Sequence, residues 1–147
     1  MFGNGPRPGP CASSCGVHDV DTRLRQAADD VARGRQSLYG LRMEGRVVAA
    51  MAVQAGELWS LPQDASDDAR STGTLHIEVL AVDKRAQRQG HGARLLHAAI
   101  VAADTARQIA GLCAVSVEVA ELCVPFYLHH GFQTSEQVPP GVAWLAL

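Results

Sequence analysis

The sequence lacks a long apolar run and a strong excess of charge of one sign. No apolar stretch reaches the roughly 18 residues that a membrane span requires, and no signal-peptide pattern opens the chain. The formal net charge is -2, which gives no support to non-specific nucleic-acid binding. We therefore predict a cytoplasmic protein that binds no membrane.

Cysteine is also scarce, with four in the chain. Cys11 and Cys15 have the spacing of half a zinc site, but no matching second pair exists, so we predict no metal site. Cys113 and Cys123 stand in apolar segments, where cysteine is most simply a small core residue. Reduced thiols are consistent with a cytoplasmic protein.

The length of 147 residues is enough for one ordinary domain. Residues 1–14 are rich in glycine and proline and have no periodicity, which predicts a flexible tail. Residues 15–147 then form a single domain. Its apolar fraction of 47% is typical of a globular protein.

The hydrophobic pattern predicts an α/β (α+β) domain in which one mixed sheet carries helices on both faces. Its predicted elements, in chain order, are a helix from 19 or 21 to 34, strands at 37–43, 46–54 and 57–61, a surface loop at 63–73, a strand at 74–82, a helix over 93–103, a strand at 112–119, a short helix at 121–130, and closing strands around 132 and at 142–147.

The strand at 74–82 and the helix after it organise the chain. Regular alternation along the strand places two sets of side chains on opposite faces. One set is Leu75, Ile77, Val79 and Ala81, and the other is His76, Glu78, Leu80 and Val82.

The turn between them, Gln87-Arg88-Gln89-Gly90-His91-Gly92, has the features of an anion site. Glycine lets a ligand approach the backbone, and the first amides of a helix have no partner inside the helix. A dinucleotide turn would need a third glycine where Leu95 stands, and a P-loop would need Gly-Lys-Ser/Thr. Both nucleotide-binding patterns are therefore absent, and the residues leave two alternatives: a turn that holds an anion such as phosphate in another manner, or a strand–helix connection that merely uses glycine.

Two motifs resemble the GNAT superfamily of acetyl-CoA-dependent N-acetyltransferases. The glycine turn looks like the family's Gln/Arg-x-x-Gly-x-Gly/Ala signature, and the strand end Leu80-Ala81-Val82-Asp83 precedes it. The run from Phe126 to Phe132 (FYLHHGF) is similar to the family's late Tyr-x-x-x-Gly-Phe element. The resemblance covers about 47–147 and implies a mostly antiparallel sheet that is splayed at the cofactor site.

The resemblance implies that acetyl-CoA is the donor, with its diphosphate on the amides of the glycine turn. The pantetheine arm would pair like an added strand with Leu80 and Val82, and an amide near Leu80 or Ala81 would stabilise the oxyanion. The implied cofactor-binding residues are Leu80, Ala81, Val82, Gln87, Arg88, Gln89, Gly90, His91, Gly92 and Ala93.

The resemblance also implies direct transfer with an acid and a base. Tyr127 matches the family's acid, although a core aromatic beside Phe126 is the structural alternative. Glu78 and His76, placed by alternation on the face of Leu80 and Val82, are both candidates for the base.

The acceptor is predicted to be a primary amine of a small molecule or protein. An alternative comes from 15–25 and 47–50, which look like the opening of the tRNA-acetylating toxins of bacterial toxin–antitoxin pairs; outside that alternative, a nucleic-acid partner is not expected. A second alternative is a non-catalytic acyl-CoA-binding module, because Ala120 replaces a frequent asparagine and Pro125 lies in the Tyr127 helix. The resemblance also allows a homodimer.

Overall fold

A computed structural model describes residues 26, 29–30, 32–60, 70–119, 123–134 and 141–147. The predicted tail at 1–14, Cys11, Cys15, Ala120 and most of the first predicted helix lie outside these residues. Helical positions at 26, 29, 30 and 32 agree with that helix, and Gly34, with a φ of 72°, lies in the turn that follows. The elements that follow are β1 (Ser37–Met43), β2 (Arg46–Ser60), β3 (Arg70–Val82), a 3₁₀ turn (Lys84–Ala86), α1 (His91–Ala110), β4 (Ala114–Glu118), α2 (Val124–His129) and β5 (Val142–Ala146).

The first three strands form an antiparallel meander. Glu44 and Gly45 make the predicted tight turn between β1 and β2, both with positive φ. Strand β2 continues to Ser60, so the second and third predicted strands are one strand. Strand β3 begins at Arg70, so the predicted surface loop is wrong over 70–73.

Two glycines lie inside these strands, at positions that were predicted to be outside them. Gly56 pairs with Thr74, and a Cβ on Gly56 would lie 2.9 Å from the Cβ of His76. A Cβ on Gly73 would lie 2.8 Å from the carbonyl oxygen of Gly111. Both glycines permit a close approach inside a continuous strand, rather than ending it.

The sheet has the order β1-β2-β3-β4-β5. Among the described strands, only β3 and β4 are parallel neighbours, and α1 makes the connection between them. β3 pairs with β2 up to Val82, whereas its register with β4 covers only Thr74 to Ile77. The two parallel strands therefore separate beyond Ile77 and Val117, and this opening is called the cleft below. The prediction of a mixed, mostly antiparallel, splayed sheet is confirmed.

A β-bulge changes which side chains of β3 share a face. The register passes from Val53↔Ile77 to Ala52↔Val79, so Glu78 is an extra residue. Leu80 and Val82 consequently join the core cluster that contains Ile77. The predicted common face of Glu78 and His76 with Leu80 and Val82 is wrong, because it assumed unbroken alternation across Glu78.

The main core lies between the sheet and α1. Leu96, Ala99 and Ala103 of the predicted helix stripe are at most 2% exposed. The opposite side of the central strands is buried as well, at Ala50, Ala52, Val79 and Ala81 among others. Burial on both faces is typical of a layered domain. Among the described residues, no helix is long and apolar enough to span a membrane.

The end of the chain completes this core. Pro125 lies in the first turn of α2, where proline is tolerated, and Gly131 follows the helix with a φ of 89°. Within the described residues, the predicted strand around 132 is reduced to one bridge between Gln133 and Trp144. Cys123 is buried as predicted, whereas Cys113 is exposed just after α1.

Candidate active site

The cleft opens at the carboxyl ends of β3 and β4. β3 leads into the glycine turn and α1, while β4 leads toward α2. The glycine turn and Glu78 therefore lie toward the carboxyl end of β3, and Tyr127 lies in the helix that follows β4. The carboxyl ends of parallel strands are where α/β sheets commonly bind ligands.

Asp83 anchors the start of the glycine turn. Its amide donates to the Val48 carbonyl oxygen at 2.7 Å, and its carboxylate accepts from the Arg85 amide at 2.9 Å. The Arg85 guanidinium lies 3.7 Å from the same carboxylate oxygen. Burial raises the pKa of Asp83. Hydrogen bonds, including that from the Arg85 amide, and positive charge, including that of the Arg85 guanidinium, together lower it by more and leave the pKa below its usual value of 3.8.

The Asp83 charge gives a testable contribution to stability. A carboxyl whose pKa is lowered on folding stabilises the protein above its unfolded pKa, and this stabilisation is lost as the pH falls through the folded value. Asp83→Asn keeps an acceptor but removes the charge, so we expect a loss of about 1 kcal/mol at pH 7 that shrinks below pH 4. Urea unfolding at several pH values measures it.

Asp104→Asn is the matched control for Asp83→Asn. The Asp104 side chain is 62% exposed, and its oxygen lies 3.6 Å from Arg107 in an i,i+3 pair. Surface pairs of this kind contribute about 0–0.5 kcal/mol. Equal losses in the two variants would mean that the burial and backbone contact of Asp83 do not matter.

Gly90 begins α1 in a conformation that favours glycine. Its φ of 81° is left-handed, and its carbonyl accepts from the Arg94 amide at 3.0 Å. Arg88 also has a positive φ, of 67°. A Cβ on Gly90 would meet no atom within 4 Å, so the left-handed backbone, rather than crowding within the chain, accounts for this glycine.

A side-chain contact with β3 braces the glycine turn, whose features suit a diphosphate. The Gln87 amide nitrogen donates to the Val82 carbonyl oxygen at 3.3 Å, so this side chain braces the turn against β3. His91 is only 5% exposed, and its Nδ1 has no hydrogen-bond partner among the described residues. The first amides of α1, which have no partner inside the helix, and the open Gly90 are features that suit an anion.

Positive side chains surround the glycine turn. Arg46 and Arg85 line a cavity of about 260 Å³ between the β1–β2 turn and the glycine turn, together with the acidic Glu44 and Asp83. Lys84, Arg88 and Arg94 are exposed along the turn and the first turn of α1. The rim of this end of the cleft is thus locally basic, although the chain has a net charge of -2.

The structure brings the two candidate bases together. His76 Nε2 lies 3.8 Å from Glu78 Oε2, and the Gln54 amide nitrogen donates to the same oxygen at 3.3 Å. The Glu78 side chain is 35% exposed and the His76 side chain 19%. The bulge thus places Glu78, the more open of the two, where β3 leaves β4.

Buried hydroxyl groups support His76 from the other side. Ser116 Oγ lies 2.9 Å from His76 Nδ1 and 2.8 Å from Thr74 Oγ1. Sequence analysis missed Ser116, Thr74 and Gln54. The register Thr74↔Ala114 and His76↔Ser116 brings the hydroxyls together, and a single sequence does not reveal that register.

Tyr127 is enclosed by aromatic rings. It is 1% exposed, with ring centroids 5.0 Å from Phe126 and 5.4 Å from Phe132 in edge-on arrangements. Nearby, burial and then the charge of His129 lower the pKa of His130 below its usual value of 6.5, which favours its neutral form. The ring of Tyr127 therefore lies in a buried, largely aromatic setting.

Comparison with known proteins agrees with this geometry. The family model described as the acetyltransferase (GNAT) domain matches residues 18–143. The chain therefore belongs to the GNAT acetyltransferase family, as its two motifs predicted. It is an acyltransferase that uses acetyl-CoA. Among the described residues, no group of three or more histidine, cysteine or acidic side chains could hold a metal.

Solved structures with this fold include bacterial toxins. AtaT complexed with acetyl-methionyl-tRNAfMet is 19% identical, with a TM-score of 0.74 over 90% of this chain and 84% of that chain. A mutant of KacT is 20% identical, with a TM-score of 0.71 and the same coverage. AtaTR bound with AcCoA is 21% identical, with a TM-score of 0.68 over 90% and 83%. No curated protein matches the sequence.

Proposed function

We propose that this chain transfers the acetyl group of acetyl-CoA to the primary amine of an aminoacyl-tRNA. The observation that carries the proposal is the similarity, over 90% of the chain, to AtaT solved with acetyl-methionyl-tRNAfMet. That ligand has the chemistry of the product of such a transfer. The resemblance of 15–25 and 47–50 to toxins of this kind supports the same acceptor.

The charge around the glycine turn supports a tRNA acceptor better than the net charge of the chain does. Five exposed cations, Arg46, Lys84, Arg85, Arg88 and Arg94, lie around the glycine turn. Phosphate contacts supply most of the affinity of a protein for tRNA and depend on local cations. The cofactor diphosphate would engage part of this set, and the rest would face the acceptor.

The chemistry needs two proton transfers from the amine. The ammonium loses one proton to a base, and its nitrogen then bonds to the thioester carbon while the carbonyl π electrons move to oxygen. When these electrons return, the carbon–sulfur bond breaks and the sulfur takes a proton. The nitrogen loses its second proton, which leaves an N-acetyl amide, a free thiol and one released proton.

We assign Tyr127 as the acid that protonates the sulfur and the Glu78–His76 pair as the base. Glu78 lies where the cleft begins, which suits a group that meets the incoming amine. Oxyanion stabilisation is assigned to an amide near Leu80 or Ala81, beyond the bulge, where β3 has separated from β4.

A panel of acceptors tests the proposed substrate. The purified protein is given acetyl-CoA with several aminoacyl-tRNAs, the matching amino-acid esters without tRNA, small polyamines and a lysine-rich peptide, and thiol release is measured. We expect kcat/KM for at least one aminoacyl-tRNA to exceed that of its free ester about 100-fold, and to fall steeply between 50 and 200 mM salt.

The same panel separates the other acceptors. Equal rates with an aminoacyl-tRNA and its free ester would exclude tRNA recognition and favour the small-molecule or protein amine, which the net charge of -2 supports. Acetyl-CoA binding without thiol release from any acceptor would favour the binding module.

A further inference from the structure

Ser116 is buried within the sheet, where its hydroxyl group needs hydrogen-bond partners. It is 2% exposed on β4, and Thr74, its diagonal neighbour across the β3–β4 pairing, is fully buried. A buried hydroxyl group without a hydrogen bond costs about 1–3 kcal/mol. The contacts of Ser116 Oγ with Thr74 Oγ1 at 2.8 Å and His76 Nδ1 at 2.9 Å meet this need.

The two ring nitrogens of His76 face different groups. Nδ1 faces the Ser116 hydroxyl, which can donate or accept, whereas Nε2 faces the Glu78 carboxylate, which when ionised only accepts. A neutral imidazole carries one proton. A proton on Nε2 points toward the carboxylate, whereas a proton on Nδ1 would turn the Nε2 lone pair toward the negative charge.

The favoured arrangement sets the direction of the hydrogen bonds that join Thr74, Ser116 and His76. With the proton on Nε2, His76 Nδ1 accepts from the Ser116 hydroxyl, and Ser116 accepts from Thr74. Glu78 Oε2 then faces two N–H groups, one from His76 at 3.8 Å and one from Gln54 at 3.3 Å. These contacts fix the carboxylate through one of its oxygens.

We propose that Ser116, held by Thr74, is a positioning residue that keeps His76 in the Nε2–H tautomer and thereby makes Glu78 the base. His76 in this tautomer has no lone pair on the Nε2 edge, so it orients Glu78 rather than taking the proton of the amine. The inference rests on the proposed function for the catalytic role of Glu78. The tautomer itself is independent of the acceptor.

The tautomer is measured on the wild-type protein by ¹⁵N NMR of the histidine rings, with His76→Gln used to assign the signals. In the neutral ring of His76 we expect a protonated Nε2 and an unprotonated Nδ1. A neutral ring protonated mainly on Nδ1 would overturn the inference, whatever the enzyme acetylates. This measurement requires no acceptor, so it is unaffected if aminoacyl-tRNA is not the substrate.

Variants test the effect on catalysis with the best acceptor of the panel. Ser116→Ala and Thr74→Val are expected to lower kcat about tenfold, because a small loss of orientation is costly at a reacting group, while KM for acetyl-CoA changes less than twofold. Ser116→Thr restores the hydroxyl and should recover most of kcat. Glu78→Gln should lower kcat about 100-fold, and His76→Gln only about tenfold.

Val115→Ala is the matched control. Val115 is fully buried on the same strand and belongs to the core on the other face. Its truncation therefore weakens the β3–β4 region without removing a hydrogen bond among Thr74, Ser116 and His76. We expect a lower melting temperature and an unchanged kcat. If Val115→Ala lowers kcat as much as Ser116→Ala, or if Ser116→Thr fails to recover activity while remaining folded, the positioning role is wrong.

Discussion

Gly90→Asp is expected to abolish the rise in melting temperature that acetyl-CoA produces. A ligand at 100 times its Kd stabilises the folded state by about 2.7 kcal/mol, which is roughly 5–10 °C for a domain of this size. Gly90 begins α1 with its Cβ position open, so an aspartate there would place a negative charge where the diphosphate is expected. Thermal unfolding with and without acetyl-CoA measures the effect.

The other end of the same helix supplies a matched control. Gly111 follows α1 with a φ of 67°, and a Cβ there also meets no atom within 4 Å. Gly90→Asp and Gly111→Asp therefore impose a similar backbone cost, but the helix dipole favours a carboxylate at the first position and disfavours it at the second. We expect Gly111→Asp to have the lower melting temperature and to retain the full acetyl-CoA shift.

The two variants can also contradict the assignment. If Gly90→Asp keeps the acetyl-CoA shift, the glycine turn does not hold the diphosphate. If both variants lose the shift, the loss reflects general damage to α1 rather than charge at the turn. The comparison needs no acceptor, so it tests the donor site alone.

Tyr127→Phe is expected to lower kcat about 100-fold or more, with KM for acetyl-CoA nearly unchanged. Loss of a positioned general acid typically costs 10²–10⁴ in rate. The substitution keeps the ring, which makes edge-on contacts with Phe126 and Phe132. Steady-state thiol release with a saturating acceptor measures the change.

Tyr39→Phe controls for loss of a phenol elsewhere. Tyr39 is the other tyrosine of the chain, 46% exposed on β1. We expect Tyr39→Phe to leave kcat within twofold of the wild type. Unchanged turnover in Tyr127→Phe would mean that Tyr127 is a core aromatic, as its 1% exposure also permits, and that the thiolate is protonated by another group.

The local features of the donor site were predictable from the sequence. The glycine turn, the start of a helix after it and the proline in the first turn of α2 depend on neighbouring residues, whose conformational preferences are strong. Gly90 and Pro125 are examples. The family motifs contain these residues, so the family followed from them as well.

The faces of β3 were not predictable, because a bulge depends on the partner strand. Nothing in the run His76-Ile77-Glu78-Val79 distinguishes a regular strand from one with an extra residue. The offset becomes visible only in the pairing with Ala52 and Val53. For the same reason, the sequence left Glu78 and His76 as alternatives, whereas the structure places them side by side with Ser116 beneath the imidazole.

The narrow pairing of β3 with β4 has a consequence for how the chain folds. The β1–β2–β3 meander joins neighbouring strands, but Thr74 and Ala114 are about 40 residues apart, and only four residue pairs form between β3 and β4. Contacts between distant residues form late, since closing a long loop costs entropy before any contact compensates for it. We therefore expect the meander to form early and the β3–β4 pairing to form last, so that in pulse labelling during refolding the amides of β4 become protected after those of β2.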